Sequence, residues 1–207
     1  MWFVKNPTVS NGFVVNKPRG ITVDGIQYPR NIFRLWSKAE LAAIGVLPYS
    51  ENNVDSRYHY AGLLTRTESN GEVVGAYEAI AKDVETLKEA MLASVKSQVS
   101  SLQGSIDWYW SRASKGGKAV PTEISEYAIA LYAEMAVKEV SIEALTTLDD
   151  VIAFQNTPIT ETRYVKHTDD EGVETYGPET ETFDREVDMS SYGWPVNPNE
   201  PVDPAKV

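Results

Sequence analysis

No cysteine occurs in the chain, which excludes disulfide staples, thiol nucleophiles and cysteine-ligated metals together. A chain of 207 residues needs no disulfides to build a core, so their absence does not assign a compartment. Histidine is almost as scarce. His59 and His167 are the only two, neither has a second histidine at metal spacing, and both read as structural. No G-x-S-x-G elbow supplies a nucleophile for a serine-centred triad. No run of about 18 apolar residues exists, so no membrane span is expected. The opening MWFVKNPTVS lacks the apolar stretch of a secretory leader, and none is expected there. Basic residues are in short supply: 19 stand against 30 acidic ones, net −11. A general nucleic-acid binder needs clustered Lys and Arg, so that class is set aside.

The charge that is present is uneven. Residues 1–38 hold six basic side chains and one acidic, net +5, whereas residues 161–207 hold four basic and twelve acidic, net −8. The two ends are expected to attract, within or between chains.

The most tightly specified short stretch is RLWSKAELAAIGVLPY, residues 34–49. Ser37 followed three residues later by Glu40 is a capping box, and Trp36 and Leu41 stand where a hydrophobic staple forms. Gly45 fits the left-handed position after a helix, with Val46 placed to touch Leu41, and Pro48 prevents the helix from resuming. This predicts one short helix clamped at both ends, presenting Trp36, Leu41 and Ile44. Around it, Asp24-Gly25 and Asn70-Gly71 are two-residue hairpin signals between β-branched runs. Residues 1–75 are therefore expected to form a small β-rich lobe.

From residue 76 the period changes. Tyr77, Ile80, Val84, Leu87, Met91, Val95, Val99 and Leu102 follow at spacings of three and four, which predicts one long amphipathic helix over 76–103. A second helix is expected over 122–140, with Thr122 as its cap and Ile124, Tyr127, Ala128, Leu131 and Met135 on one face. The two helices would form an antiparallel hairpin, or the long one would pair with copies of itself. Thr147 with Asp150 predicts a third helix over residues 148–155. After Pro158 the sequence ETRYVKHTDDEGVETYG predicts an exposed hairpin with Asp169, Asp170, Glu171 and Gly172 in its turn. Four prolines then mark a tail that cannot build its own core: it is either disordered or an extended arm lying over a partner, with Tyr192 and Trp194 as anchors. The fold class is α+β, in three sections: 1–75, 76–157 and 158–207.

The search for chemistry returns structural explanations. SRASKGGKAV, residues 111–120, has the glycines and lysines of a phosphate loop, but Lys118 is followed by Ala119 rather than Ser or Thr; it reads as a link between helices. The acidic turn lacks the alternating oxygen spacing that wraps calcium. Asp149 and Asp150 are adjacent, so on a helix they diverge by about 100° and cannot face one substrate; capping explains them. Trp108, Tyr109 and Trp110 offer a stacking platform or a packing cluster. No catalytic residue, cofactor site or metal site is assigned.

Several of these blocks occur in a familiar order. GIQYPRNIFRLWSKAELAAIGV, a long helix ending in IDWYWSRASKGGKAVPTEISEYAIALYAEM, then LDDVIAFQN and FDREVDMSSYGWP resemble accessory virion proteins of tailed bacteriophages, especially tail-fibre and fibre-associated proteins. The segment from Asp107-Trp108 to the Pro-initiated helix also looks like a part of phage tail-fibre assembly proteins. There the second helix typically carries a Tyr-Arg pair, where this chain reads EYAIALYAEM. The resemblance implies a non-enzymatic structural or adaptor component of the virion, assembled in the host cytoplasm. Its expected partners are other tail or fibre proteins and further copies of itself, not nucleic acid or membrane. The residues expected at the interface are Tyr77, Val84, Leu87, Met91, Val95, Trp108, Trp110, Tyr192 and Trp194. An assembly chaperone absent from the finished particle and a carbohydrate-binding module are the alternatives.

Overall fold

The computed structural model describes residues 1–6, 11–169, 171–201 and 203. The chain is α+β and divides into two compact units, Met1–Lys82 and Asp83–Val207. The boundary expected at 75/76 falls inside a strand, for a reason given below.

In the first unit, strands β1 (Trp2–Val4), β2 (Phe13–Val15) and β5 (Val46–Asn52) join the long hairpin β6 (His59–Ser69) and β7 (Glu72–Ala81) in one sheet, ordered β2-β1-β5-β7-β6. All neighbours are antiparallel except β5 and β7, which run parallel with Tyr49 opposite Val73. A separate hairpin joins β3 (Ile21–Val23) to β4 (Ile26–Tyr28). Both two-residue turns form as their sequences demand. Asp24 and Gly25 have φ of 48° and 80°, Asn70 and Gly71 of 53° and 75°, the paired positive values of a turn whose twist matches that of its strands.

The period-2 alternation of β1 sorts its side chains between two apolar clusters. Trp2 and Val4 join Val15, Ile21, Val23, Ile32, Leu41 and Val46. Phe3, from between them, joins Leu47, Tyr49 and Val73.

A short helix, α1 (Ile32–Leu35), leads into the clamped stretch, and the expected clamped helix is α2 (Lys38–Ala43). The capping box of α2 is complete: Ser37 N donates to Glu40 at 2.7 Å, and Glu40 N donates to the Ser37 hydroxyl at 3.2 Å. Gly45 takes φ 76° just after it. Leu41 is fully buried in the same cluster as Val46, with Ile44 half-buried beside it. The Trp36 ring lies edge-on to Tyr28 at 5.8 Å. The careful punctuation serves the first unit's own core through Leu41.

The long helix begins later than its apolar spacing suggests. Residues 72–81 are β7, and Tyr77 and Ile80 pair across the sheet with Leu64 and Tyr60. The Asn70-Gly71 turn reverses the chain, and strand pairing extends beyond the point where the three-and-four spacing starts. Asp83 then caps α3 (Val84–Gly104) by accepting from the Thr86 amide at 2.9 Å. At 21 residues the helix is about 32 Å long. A short helix α4 (Asp107–Ser114) takes up part of the expected link. Helix α5 (Thr122–Glu143) follows, with Pro121 rather than Thr122 as its cap. Helix α6 (Leu148–Gln155) has the Thr147–Asp150 capping box, with bonds of 2.9 and 3.1 Å. Strands β8 (Thr157–Thr168) and β9 (Glu174–Val187) form a two-stranded ribbon longer than the hairpin expected. Of its turn residues, Asp170 lies outside the described residues.

Candidate functional site

Of the nine residues expected at an interface, five belonged to the supposed rod, and these are mostly committed within the chain. Tyr77 is half-buried on β7, where the hydrogen bond of its phenol with Glu51 holds its pKa above the ordinary value. Val84 and Leu87 are half-buried on the first turns of α3, while Met91 and Val95 are buried together with Val99. Helix α3 packs against α5 of the same chain. Lys96 faces Glu139 across this pair at 3.8 Å, and the Tyr132 hydroxyl bonds Gln103. The stripe expected to join copies is therefore internal core. Spacing alone cannot tell the two cases apart, because an amphipathic helix buries the same stripe whichever chain supplies the neighbour.

Tyr192 and Trp194 are also turned inward. The expected arm lies over its own helices: Trp194 Nε1 donates to Gln98 at 2.8 Å, Asn197 Nδ2 to the Ser105 hydroxyl at 3.0 Å, and the Tyr109 hydroxyl to Asn199 at 2.9 Å. Trp194 joins the cluster of Ile106, Ile124, Tyr127 and Leu131. Tyr192 reaches Glu161 at 3.3 Å. A further tie is Lys138, a charged residue only 3% exposed. Its ammonium sits 3.2 Å from the Glu134 carboxylate, donates to the carbonyl of Met189 at 2.8 Å and to that of Tyr192, and lies 5.0 Å from the Trp194 ring centre. A buried ammonium needs acceptors for its three protons, and the returning chain provides two of them. Lys138 escaped the sequence reading. Its signal was its place on the buried stripe of α5, at heptad spacing after Ile124 and Leu131.

Trp108 and Trp110 remain partly open, 51% and 39% exposed on α4. Two residues apart on a helix they point about 200° apart, so they do not form one platform. The Trp108 ring is tilted by 32° against that of Tyr109 at 4.0 Å, with the Arg112 guanidinium 4.7 Å from its centre.

An exposed apolar face lies on α5, bordered by Tyr132, whose hydroxyl bonds Gln103. One side of this helix buries Ile124, Tyr127, Leu131 and Ile142. The opposite side carries Ile129, Tyr132, Ala133, Ala136, Val137 and Val140, all exposed; Ile129 is 70% and Val140 67% open. Spacings of three and one place these six on a single face. A helix apolar around its whole circumference is normally covered on all sides. Sequence reasoning named only the buried face; the tell was the number of apolar residues left over after that face was filled. Beyond the end of α5, an open groove lined by Ala144, Leu145, Ala153, Phe154 and Pro158 begins one turn past Val140.

The electrostatics of the second unit are one-sided. It holds ten basic and 23 acidic side chains, net −13, while the first unit is net +2. Several carboxylates are held low. Amide and hydroxyl donation from Thr86 lowers the pKa of Asp83, bonds from Thr147 and Thr146 lower that of Asp150, and the Arg185 guanidinium at 2.5 Å lowers that of Glu161. In the first unit the Ser37 amide does the same to Glu40. All four are depressed in the folded state, so their stabilisation is complete above the unfolded values of 4.5 and 3.8. It is lost as pH falls through the lower folded values. The expected result is a melting temperature that drops steadily below about pH 4.5. An Asp83→Asn variant should melt lower than the parent near neutrality and converge with it at the acid end; parallel curves at every pH would show that Asp83 contributes nothing through its charge.

Among the described residues no helix is long and apolar enough to cross a membrane, and no three of His, Asp or Glu gather as metal ligands. No family model, curated protein or solved structure matches this chain.

Proposed function

We propose that this protein is a non-enzymatic structural or adaptor component of a tailed-phage virion, associated with the tail or its fibres and acting through contacts with other virion proteins. The observation that carries the contact role is the bare outer face of α5. Six apolar or small side chains at helical spacing remain open to solvent on a helix whose other face is already buried. Such a face is costly to leave in water and is characteristic of surfaces that meet another chain. The virion assignment rests on the resemblance of the sequence blocks from residue 25 to residue 195. With Met91, Val95, Tyr192 and Trp194 engaged within the chain, α5 takes over the contact role first expected of the rod and the arm.

The test is quantitative mass spectrometry of purified particles from the source phage, with the major capsid protein as the internal standard. A fixed small copy number per particle is expected. Abundance in infected cells with absence from particles would overturn the structural role in favour of an assembly chaperone.

A further inference from the structure

We infer that the outer face of α5 receives a basic amphipathic helix of another protein, one with apolar residues at three-and-four spacing flanked by Lys and Arg. The inference deepens the contact role above by naming the partner's chemistry.

The apolar part of the match comes from the stripe itself. Ile129 to Val140 spans twelve residues, about 17 Å or three turns, with large side chains toward both ends and Ala133 and Ala136 in the middle. Small residues at the centre let a partner helix approach closely while the larger ones close over its ends, the arrangement of helix-on-helix recognition.

The charged part decides which helix. Glu126 lies three residues before Ile129, and Glu143 three residues after Val140, so both fall on the rim of the same face; both are exposed. Glu139 borders it as well and is engaged by Lys96 at 3.8 Å. The only basic residue of α5 is Lys138, which is buried on the other side. The rim is thus acidic at both ends, in a unit of net charge −13.

A second copy of this chain is a poor occupant on these grounds. Antiparallel pairing about the centre of the stripe sets Glu126 opposite Glu143 of the copy, and parallel pairing sets each carboxylate beside its own counterpart. Either register brings like charges together, which costs affinity and slows encounter. Lys and Arg flanks convert the same geometry into attraction and fast association.

The experiment uses the full chain and two labelled synthetic 20-residue peptides with the same Leu and Ala face, one flanked by Lys and Arg and the other by Glu. Binding is read by fluorescence anisotropy, and self-association of the chain by sedimentation equilibrium. The basic peptide is expected to bind at least tenfold more tightly than the acidic one to a monomeric chain. A double substitution of Ile129→Ser and Val140→Ser, at exposed positions and with charge unchanged, should weaken it at least tenfold while the circular dichroism spectrum is preserved. The charge reversal Glu126→Lys with Glu143→Lys should invert the preference between peptides.

Three results overturn the inference. Equal binding to the parent and the serine variant would reduce the effect to general attraction by an acidic protein. A dimer that the serine substitutions dissociate would assign the face to a second copy. No binding of either peptide by a monomeric parent would leave the face without this role. Each outcome is independent of copy number in particles, so the virion assignment stands or falls separately.

Discussion

Replacing Met91 by Asp unfolds the helical unit. Met91 is 4% exposed, one turn from Val95 and two from Val99, on the side of α3 that packs against α5. A carboxylate there loses its hydration and meets apolar side chains in place of partners. Substitutions that bury an unpaired charge fall among the most damaging known, at more than about 4 kcal/mol, against a total stability of roughly 5–15 kcal/mol for a domain. The expected readout is a large loss of far-UV helical signal and of the cooperative urea transition. Sedimentation distinguishes this from an intersubunit role: a chain that kept its helices and merely fell in mass would place the stripe between copies instead of within one.

Replacing Lys138 by Met frees the returning segment at residues 189–199. Methionine fills similar volume, so packing is largely kept and the loss is polar. The carbonyls of Met189 and Tyr192 lose their shared donor, Glu134 loses its counter-charge, and the Trp194 ring loses the cation beneath it. Stranding the partners of a buried charge costs about 2–4 kcal/mol, and the segment that carries two of them has little regular structure to hold it otherwise. Limited proteolysis should cut the variant within 189–199 at protease levels that leave the parent intact, with Trp194 emission shifting to the red. Unchanged resistance would mean that Trp194, Asn197 and their partners hold the segment without the lysine.

What could be read in the sequence follows from the range of each interaction. Capping boxes at Ser37–Glu40 and Thr147–Asp150 and the turns at Asp24-Gly25 and Asn70-Gly71 involve atoms within four residues of each other, and all four appear as their residues specify. The α+β class follows from the same local signals. The expected start of the long helix differs from the observed one because Tyr77, Ile80 and Val84 satisfy a helical period by coincidence, while the pairing of residues 72–81 that decides the matter is with strands earlier in the chain, His59–Ser69 and Tyr49–Asn52. The arm was misjudged for a related reason. Proline and aromatic content suggests an extended segment needing an anchor, yet nothing local says that the anchor is Lys138, some 51 residues earlier. The outer face of α5 was legible in principle. Its apolar residues exceed what one buried stripe can use.

The Lys138 linkage also sets an order in time. The first unit closes entirely within residues 1–82, so its folding can begin while the rest of the chain is still being made. The second unit cannot finish on the same terms, because the carbonyls that accept from Lys138 lie 51 and 54 residues downstream. At about 5–20 residues per second of synthesis, roughly 3–10 s separate the lysine from its acceptors. Through that interval the inner face of α5 can already pack on α3 and Ile106, which precede it, while its ammonium waits for two of its acceptors.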